Sequence, residues 1–208
     1  MRRLTRTSLL LVTILLVTAC QQTNGPNEPQ HDKQAQSPPV ASLWQLDTTK
    51  SQITYISTKN GDIQEHNTLR FLSGSIDANK QVKLVIDLNS IDTNIQIRDE
   101  RMRDLLFETE QYPTATVTAD IEDNLPLMTP YPISYTLHMK DQGQVFQNPV
   151  MIHSGGAEMM ITSAEPVTVS AASFGLQPAL ENLRNIAGLN SISPTVDVDY
   201  KLHFKQTK

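Results

Sequence analysis

The sequence predicts an all-β protein in which about eight antiparallel strands close into a barrel, with one or two short helices. Segments in which apolar and polar residues alternate recur along the chain, and this two-residue period is typical of strands with one buried face. Turn-forming residues separate the segments, and no parallel strand–helix–strand pattern is present. Closing the sheet removes the exposed edges that promote aggregation.

The strands are predicted in order from residue 44 onward. Ile53 and Tyr55 alternate with polar residues, and an Asn-Gly-Asp turn at 60–62 ends this segment. The other alternating segments are predicted as strands at 69–74, 82–89, 114–122, 133–140, 145–152, 159–161, 167–169 and 196–204. The short segments that begin at Met159 and Val167 are expected to form a hairpin with each other.

One connection between strands is predicted to be helical. Met102, Leu105 and Leu106 are spaced i, i+3 and i+4, which places them on one face of a short helix. Thr93 and Gln96 have the spacing of a capping box for that helix.

A second short helix is predicted before the last strand. Its apolar residues also recur at helical spacing: Leu180, Leu183, Ile186 and Ala187. Gly188 follows them, and glycine commonly ends helices.

Four groups of residues in the middle of the chain carry a family resemblance. They are Ile-Asp-Thr at 91–93, Arg-Asp at 98–99, Leu-Leu-Phe at 105–107 and Tyr-Pro at 112–113. In order, residue type and spacing they resemble the signature of the YceI-like family, whose members are lipocalin-like barrels of the bacterial periplasm that bind polyisoprenoids. The sequence departs from that signature at Leu106, where the family more often has phenylalanine.

The resemblance extends over residues 44–204. Trp44 and Asp47 resemble the opening of the family's first strand, and the segment 69–74 resembles its second strand. Phe-Gly-Leu at 174–176 resembles a motif near the C-terminus, although the arginine commonly found just before it is absent.

The composition is that of an acidic globular protein. Charged residues make up 19% and hydrophobic residues 38% of the chain. Loss of residues 1–19 would remove Arg2, Arg3 and Arg6 and take the formal charge from −5 to −8. Such a protein is a poor candidate for binding nucleic acid, because phosphate contacts need clustered Lys and Arg.

The first 19 residues are predicted to be a cleaved signal peptide of the lipoprotein type. Three arginines precede an apolar run at 9–17, and Val-Thr-Ala-Cys at 17–20 ends it. The run is shorter than the roughly 20 residues that a membrane-spanning helix needs.

Cys20 is predicted to carry acyl chains. Its position resembles the lipobox of bacterial lipoproteins, in which the cysteine is diacylated, becomes the new N-terminus and is acylated again. Several acyl chains make a stable membrane anchor. The alternatives are an ordinary secretory signal with a chance cysteine, or a free thiol. An internal disulfide is impossible because the chain has no other cysteine.

Residues 20–42 are predicted to form a flexible tether, and residues 43–208 the barrel domain. The tether is rich in Pro, Gln and Asn and cannot bury enough apolar surface to order itself. By resemblance to enteric lipoproteins, Gln21 after the cysteine implies the outer membrane. We therefore expect a periplasm-facing lipoprotein of the cell envelope.

The inward faces of the predicted strands are mainly aliphatic. An eight-stranded barrel either holds one small ligand or is filled by its own side chains. An apolar interior suits a long hydrocarbon, since burial gains roughly 0.8 kcal/mol per CH2. The residues predicted to line the interior and bind such a ligand are Ile53, Tyr55, Leu69, Leu84, Ile86, Leu88, Val117, Ile133, Tyr135, Leu137, Val198, Tyr200 and Leu202.

Arg98 and Asp99 are candidates for contact with the polar head group of the ligand. They lie where a strand gives way to a helix, at the predicted rim of the barrel. An arginine there could bind a pyrophosphate or a quinone oxygen through charge-assisted hydrogen bonds. The structural alternative is that Arg98 and Asp99 pair with each other, cap the helix or simply hold the loop in place.

The sequence offers no recognisable catalytic or metal-binding motif. None of the five histidines has His-x-x-x-His spacing or a cysteine partner. A P-loop, a dinucleotide-binding glycine fingerprint and a Gly-x-Ser-x-Gly elbow are all lacking. We therefore expect no enzyme activity, no metal and no cofactor.

The family resemblance implies the function. We expect a membrane-tethered barrel that holds a polyisoprenoid, such as a quinone or prenyl phosphate, and carries or buffers it in the periplasm. Its partners would be the isoprenoid lipid and, through N-terminal acyl chains, a membrane; a homodimer is compatible with the sequence. The alternative is a solid-core barrel that acts as a structural or interaction partner of another envelope protein.

Overall fold

The structure, a computed structural model, describes residues 42–207. The predicted signal peptide, Cys20 and the predicted tether up to residue 41 lie outside the described residues. Ten β-strands follow one another in this range: β1 Ser42–Leu46, β2 Gln52–Lys59, β3 Ile63–Asp77, β4 Gln81–Asp92, β5 Thr114–Asp120, β6 Tyr131–Met139, β7 Gln142–Gly155, β8 Glu158–Ser163, β9 Val167–Ser170 and β10 Thr195–Gln206.

Two α-helices are present among the described residues, α1 Gln96–Arg101 and α2 Gln177–Ile186. A π-helical turn, Met102–Phe107, continues α1, and a 3-10 turn, Ala171–Phe174, follows β9. Neither helix is long and apolar enough to cross a membrane.

The strands form one antiparallel sheet that closes into a ring. Each strand from β2 to β7 pairs with the strand that follows it in the chain. β8 does not pair with the short β9 that follows it. β10 then pairs with both β8 and β2, so the two edges of the sheet are joined. The prediction of an all-β antiparallel barrel with one or two short helices is confirmed, and the described residues contain two.

Ten strands fill eight positions around the ring, because two positions hold a broken strand. β1 and β2 both lie between β10 and β3, on either side of a turn at 47–51. β8 and β9 both pair with β10, at Lys201–Lys205 and Thr195–Val198 of β10 respectively. The predicted hairpin between these two segments is therefore wrong: the break at 164–166 continues the chain in the same direction along β10.

The break leaves a gap in the wall of the barrel. Among the described residues, no strand pairs with the first half of β7 on the side away from β6. The 3-10 turn lies there instead, and Gln144 of β7 donates a hydrogen bond to the carbonyl oxygen of Ser173 (3.1 Å). Phe174 and Leu176, at the end of this turn, are buried in the core. Side-chain packing thus replaces strand pairing at this point.

Both helices lie at one end of the barrel, which we call the helical end. Because neighbouring strands are antiparallel, the β2–β3, β4–β5 and β6–β7 connections meet there together with the segment between β9 and β10. α2 packs against the π-helical turn. The helical segments therefore cover the opening at this end.

The predicted first helix is confirmed, but its predicted capping box is wrong. α1 has Ile95 as its N-cap residue, with no side-chain cap hydrogen bond. The main-chain N–H of Thr93 instead donates to Asp99 Oδ1 (2.9 Å), and the Thr93 hydroxyl contacts the same oxygen. Thr93 therefore orders the loop before the helix, and its partner is six residues away.

Alternation along the strands gives the barrel an apolar interior. Leu84, Ile86 and Leu88 of β4 are buried, whereas Lys83 is exposed. The same arrangement in β10 buries Leu202 and Phe204.

Two strands approach β3 closely at Gly74. A methyl group on Gly74 would lie 2.7 Å from Leu84 Cδ2 on β4 and 2.9 Å from Leu46 Cβ on β1. Such distances are well inside van der Waals contact, so only glycine allows β1 and β4 to pack here.

Asp47 holds the turn between β1 and β2 against β10. Its carboxylate accepts hydrogen bonds from Lys205 Nζ (2.8 Å) and from the Thr49 hydroxyl (2.6 Å). Its main-chain N–H donates to the carbonyl oxygen of His203 (2.7 Å). The hydrogen bonds from Lys205 and Thr49 hold the pKa of Asp47 well below its ordinary range, against the opposing effect of burial.

We predict that Gly74→Ala destabilises the barrel by about 1–3 kcal/mol, because the added methyl group overlaps Leu46 and Leu84. Gly155→Ala is the matched control, since a methyl group there meets nothing within 4 Å. Urea unfolding of the two variants and the parent chain measures the difference. Equal midpoints for the two variants would contradict the close approach at Gly74.

We predict that Asp47 contributes to the acid sensitivity of the fold. A carboxylate whose pKa is depressed on folding stabilises the protein above its unfolded pKa of about 3.9, and this contribution is lost as the pH falls through the folded pKa. Asp47→Asn should therefore lose less stability than the parent chain when the pH is lowered from ~5 to ~3. Urea midpoints across this range measure it, with Asp62→Asn in an exposed turn as control. Parallel pH profiles for Asp47→Asn and the parent would contradict the prediction.

Candidate functional site

A cavity of about 420 Å³ occupies the interior of the barrel. Small-molecule sites commonly measure roughly 300–1,000 Å³, so the space is large enough for a ligand. Side chains from the strands, from the π-helical turn and from α2 line it, and most of them are apolar. The cavity reaches the helical end, where its polar lining residues are concentrated.

The structure places every interior residue predicted from the sequence on the cavity wall. These are Ile53, Tyr55, Leu69, Leu84, Ile86, Leu88, Val117, Ile133, Tyr135, Leu137, Val198, Tyr200 and Leu202. The two-residue period was sufficient to find them, because each strand exposes one face to the interior. Their contact with a ligand stays a prediction.

Several aromatic lining residues were missed. Phe71 lies on the inward face of β3 two residues after Leu69, so alternation could have identified it. Phe146 also lies inward and stacks on Tyr135, with ring centroids 5.8 Å apart. Phe107 and Phe174 come from helical turns, where the strand period gives no signal.

The second helix contributes to the cavity as well. Leu180 and Leu183 of α2 and the following Ala187 line it. The helical spacing of these residues predicted an apolar face, but not that this face covers the barrel interior. Ile186, from the same predicted stripe, is exposed.

An ion-pair cluster borders the cavity at the helical end. The Glu65 carboxylate accepts a hydrogen bond from Lys59 Nζ (2.8 Å) and another from Arg98. Burial alone would raise the pKa of Glu65, but the hydrogen bonds and charges of Lys59 and Arg98 outweigh burial and lower it. Glu65 is therefore charged at neutral pH, and two cations share its charge.

Arg98 and Asp99 both contact Thr93 and do not form an ion pair with each other within the described part of the chain. Arg98 donates from Nε to the Thr93 hydroxyl (2.8 Å) and from a terminal nitrogen to the Thr93 carbonyl oxygen (2.7 Å). The interpretations that Arg98 and Asp99 pair with each other or cap the helix are therefore wrong. Both side chains instead hold the loop before α1 through Thr93, as the third structural alternative predicted. Arg98 lines the cavity, whereas the Asp99 carboxylate is turned to Thr93.

Two polar side chains lie deeper, below the ion-pair cluster. Tyr55 on β2 and Asn67 on β3 are opposite each other in the strand register, and both line the cavity. The Tyr55 hydroxyl lies 4.0 Å from Met102 Sδ. Asn67 is only 1% exposed.

Tyrosines in the cavity wall keep their protons. Burial raises the pKa of Tyr55 and Tyr200, and it raises the pKa of Tyr135 to about 12. Their hydroxyl groups are thus neutral and able to donate hydrogen bonds at physiological pH.

The arrangement as a whole suits a molecule with a long apolar body and a small polar end. Within residues 42–207 no three His, Cys, Asp or Glu side chains come together as a metal site.

Comparison with solved structures finds the same barrel elsewhere. A polyisoprenoid binding domain from Saccharophagus degradans is 34% identical, with a TM-score of 0.76; the match covers 80% of this chain and 100% of that chain. BcnA from Burkholderia cenocepacia is 15% identical, with a TM-score of 0.59 and coverage of 76% and 98%. The YCEI protein of Campylobacter jejuni is 13% identical, with a TM-score of 0.50 and coverage of 73% and 85%.

The family model for the YceI-like domain matches residues 44–204. Among proteins with curated descriptions, no sequence matches the chain. The matched segment takes in every described strand from β2 to β9, together with residues 44–46 of β1 and 195–204 of β10. It also contains the motifs at 91–113 from which the family was predicted. The chain therefore belongs to the YceI-like domain family.

Proposed function

We propose that this protein binds a long apolar lipid, of the polyisoprenoid or quinone type, inside its barrel. The observation that carries the proposal is the cavity of about 420 Å³ with an almost continuous apolar wall. The 34% identical domain from Saccharophagus degradans, described as polyisoprenoid binding, supports it. The cavity also favours lipid binding over the alternative of a solid-core barrel.

Burial of hydrocarbon supplies the driving force in this proposal. Each CH2 group transferred from water gains roughly 0.8 kcal/mol, and a prenyl chain offers many such groups. Aromatic residues such as Phe71, Phe107 and Phe174 add wide, rigid contact surfaces. The polar end of the lipid would lie at the helical end, beside Glu65 and Arg98.

We further propose that the barrel works at a membrane of the cell envelope. Cleavage after residue 19 and acylation of Cys20 would anchor the chain, and residues 20–42 would hold the barrel close to the lipid surface. A periplasm-facing protein of the outer membrane could then carry or buffer an isoprenoid that is poorly soluble in water. The proposal requires no metal, cofactor or catalytic group, and it leaves homodimer formation as a prediction.

The proposal is tested by identifying the lipid that co-purifies with the protein. The chain is expressed with its own signal sequence and purified from membranes in a nonionic detergent, and its native and denaturing mass spectra are compared. We expect one stoichiometric isoprenoid adduct that leaves on denaturation. A bare chain that also gains no thermal stability from added prenyl lipids would overturn lipid binding.

We predict that Val117→Trp lowers the affinity for an isoprenoid at least tenfold, which corresponds to about 1.4 kcal/mol, because the indole would occupy cavity space. Thr118→Trp is the matched control, since Thr118 lies on the opposite face of β5 and does not line the cavity. Retention of lipid after purification measures both variants. Equal retention by the two would place the lipid outside the barrel.

A further inference from the structure

We infer that the bound lipid ends in a neutral hydroxyl group and that this group donates a hydrogen bond to Asn67 Oδ1. The inference rests on the proposed function and specifies its ligand class: a long isoprenoid alcohol, phenol or quinol, as distinct from a phosphate ester. Its basis is a buried hydrogen-bond acceptor on the cavity wall that no group among the described residues satisfies.

The orientation of the Asn67 amide is fixed by its neighbours. Nδ2 donates to Ser57 Oγ (3.0 Å) and to the carbonyl oxygen of Glu65 (3.2 Å). A carbonyl oxygen only accepts hydrogen bonds, so the nitrogen must face Glu65. Oδ1 is then the atom left over, and within residues 42–207 it has no donor.

The position of Asn67 directs it toward the cavity. It occupies the same face of β3 as Glu65 and Leu69, one strand repeat from each. All three of these residues line the cavity. Asn67 is 1% exposed, so bulk water does not reach the unpaired oxygen.

In a second buried asparagine of this fold, both polar atoms of the side-chain amide have hydrogen-bond partners. Asn148 on β7 donates from Nδ2 to the carbonyl oxygen of Glu165 (3.0 Å), and its Oδ1 accepts from the Tyr200 hydroxyl (3.1 Å). Asn148 therefore has a structural role at the break between β8 and β9. Buried polar groups in proteins are almost always paired, so the free oxygen of Asn67 calls for a donor from elsewhere.

A hydroxyl group fits the site better than any group without a proton to donate. Tyr55 faces Asn67 across the strand pair, and among the described residues its hydroxyl has only the Met102 sulfur as a weak partner at 4.0 Å. A ligand hydroxyl can donate to Asn67 and accept from Tyr55 at once. A quinone or a methyl ether can accept from Tyr55 but offers nothing to Asn67.

The nearby charges do not create a phosphate site at this depth. Three donor groups of Arg98 are already used by Glu65 and Thr93. The Glu65 carboxylate also borders the cavity, and its ion pairs with Lys59 and Arg98 use donors that a phosphate would need. Arg101 also lines the cavity, so a cation is present, but a fully ionised phosphate would still leave Asn67 Oδ1 without a donor.

The test is a competition between geranylgeraniol and its methyl ether, in which a methyl group replaces the hydroxyl hydrogen that would be donated to Asn67. The full chain, purified in nonionic detergent and stripped of lipid, is offered both compounds at equal concentration. Native mass spectrometry gives the ratio of the two adducts. We expect the parent chain to prefer the alcohol about tenfold and Asn67→Leu to bind both nearly equally.

Ser57→Ala is the matched control. It removes one partner of Asn67 Nδ2 and leaves Oδ1 in place, so the preference for the alcohol should persist. Asn67→Ala replaces Asn67→Leu if the latter does not fold. Geranylgeranyl diphosphate forms the third arm and is expected to bind more weakly than the alcohol.

The outcomes separate this inference from the proposed function. Equal binding of alcohol and ether by the parent chain, or a preference unchanged in Asn67→Leu, would overturn the role of Asn67 while lipid binding stands. Tighter binding of the diphosphate would also overturn it and would favour a charged head group. Failure of all three prenyl compounds to bind would overturn the proposed function itself.

Discussion

Closure of the sheet through β10 is the constraint on which the rest of the molecule depends. β10 is the last strand, yet it pairs with β1 and β2 on one side and with β8 and β9 on the other. The first and last parts of the domain must therefore meet before any interior exists. Once they meet, each strand has a fixed inner face, and the apolar residues on those faces enclose the cavity.

Much of this architecture could be predicted because successive residues of a strand lie on opposite faces of the sheet. The residues Leu84, Ile86 and Leu88 show why: their two-residue spacing settles both the strand and the side that is buried. The same reasoning could not predict the breaks between β1 and β2 and between β8 and β9. Whether the segments at Met159 and Val167 pair with each other or both with β10 depends on contacts between residues 25 to 47 positions apart in the sequence, and local patterns carry no information about them.

The site, too, could be predicted only where local sequence patterns identify its residues. The family resemblance singled out Arg98 and Asp99, but their partners Thr93 and Glu65 depend on how the loop folds back on β3. Asn67 gave no local signal, since a polar residue between polar neighbours resembles an exposed position. Within residues 42–207 its Oδ1 has no hydrogen-bond donor, and such an absence can be seen only when every neighbour has been placed.

A fully paired barrel couples the size of its interior to the register of its strands, and the gap beside β7 separates these two properties. In such a barrel the radius follows from the number of strands and their shear, so the interior can change in size only if the register changes. Here the 3-10 turn and α2 form part of the wall without strand pairing, with Phe174 and Leu180 lining the cavity. Insertions or substitutions in this segment could therefore resize the interior without altering the register of any strand pair.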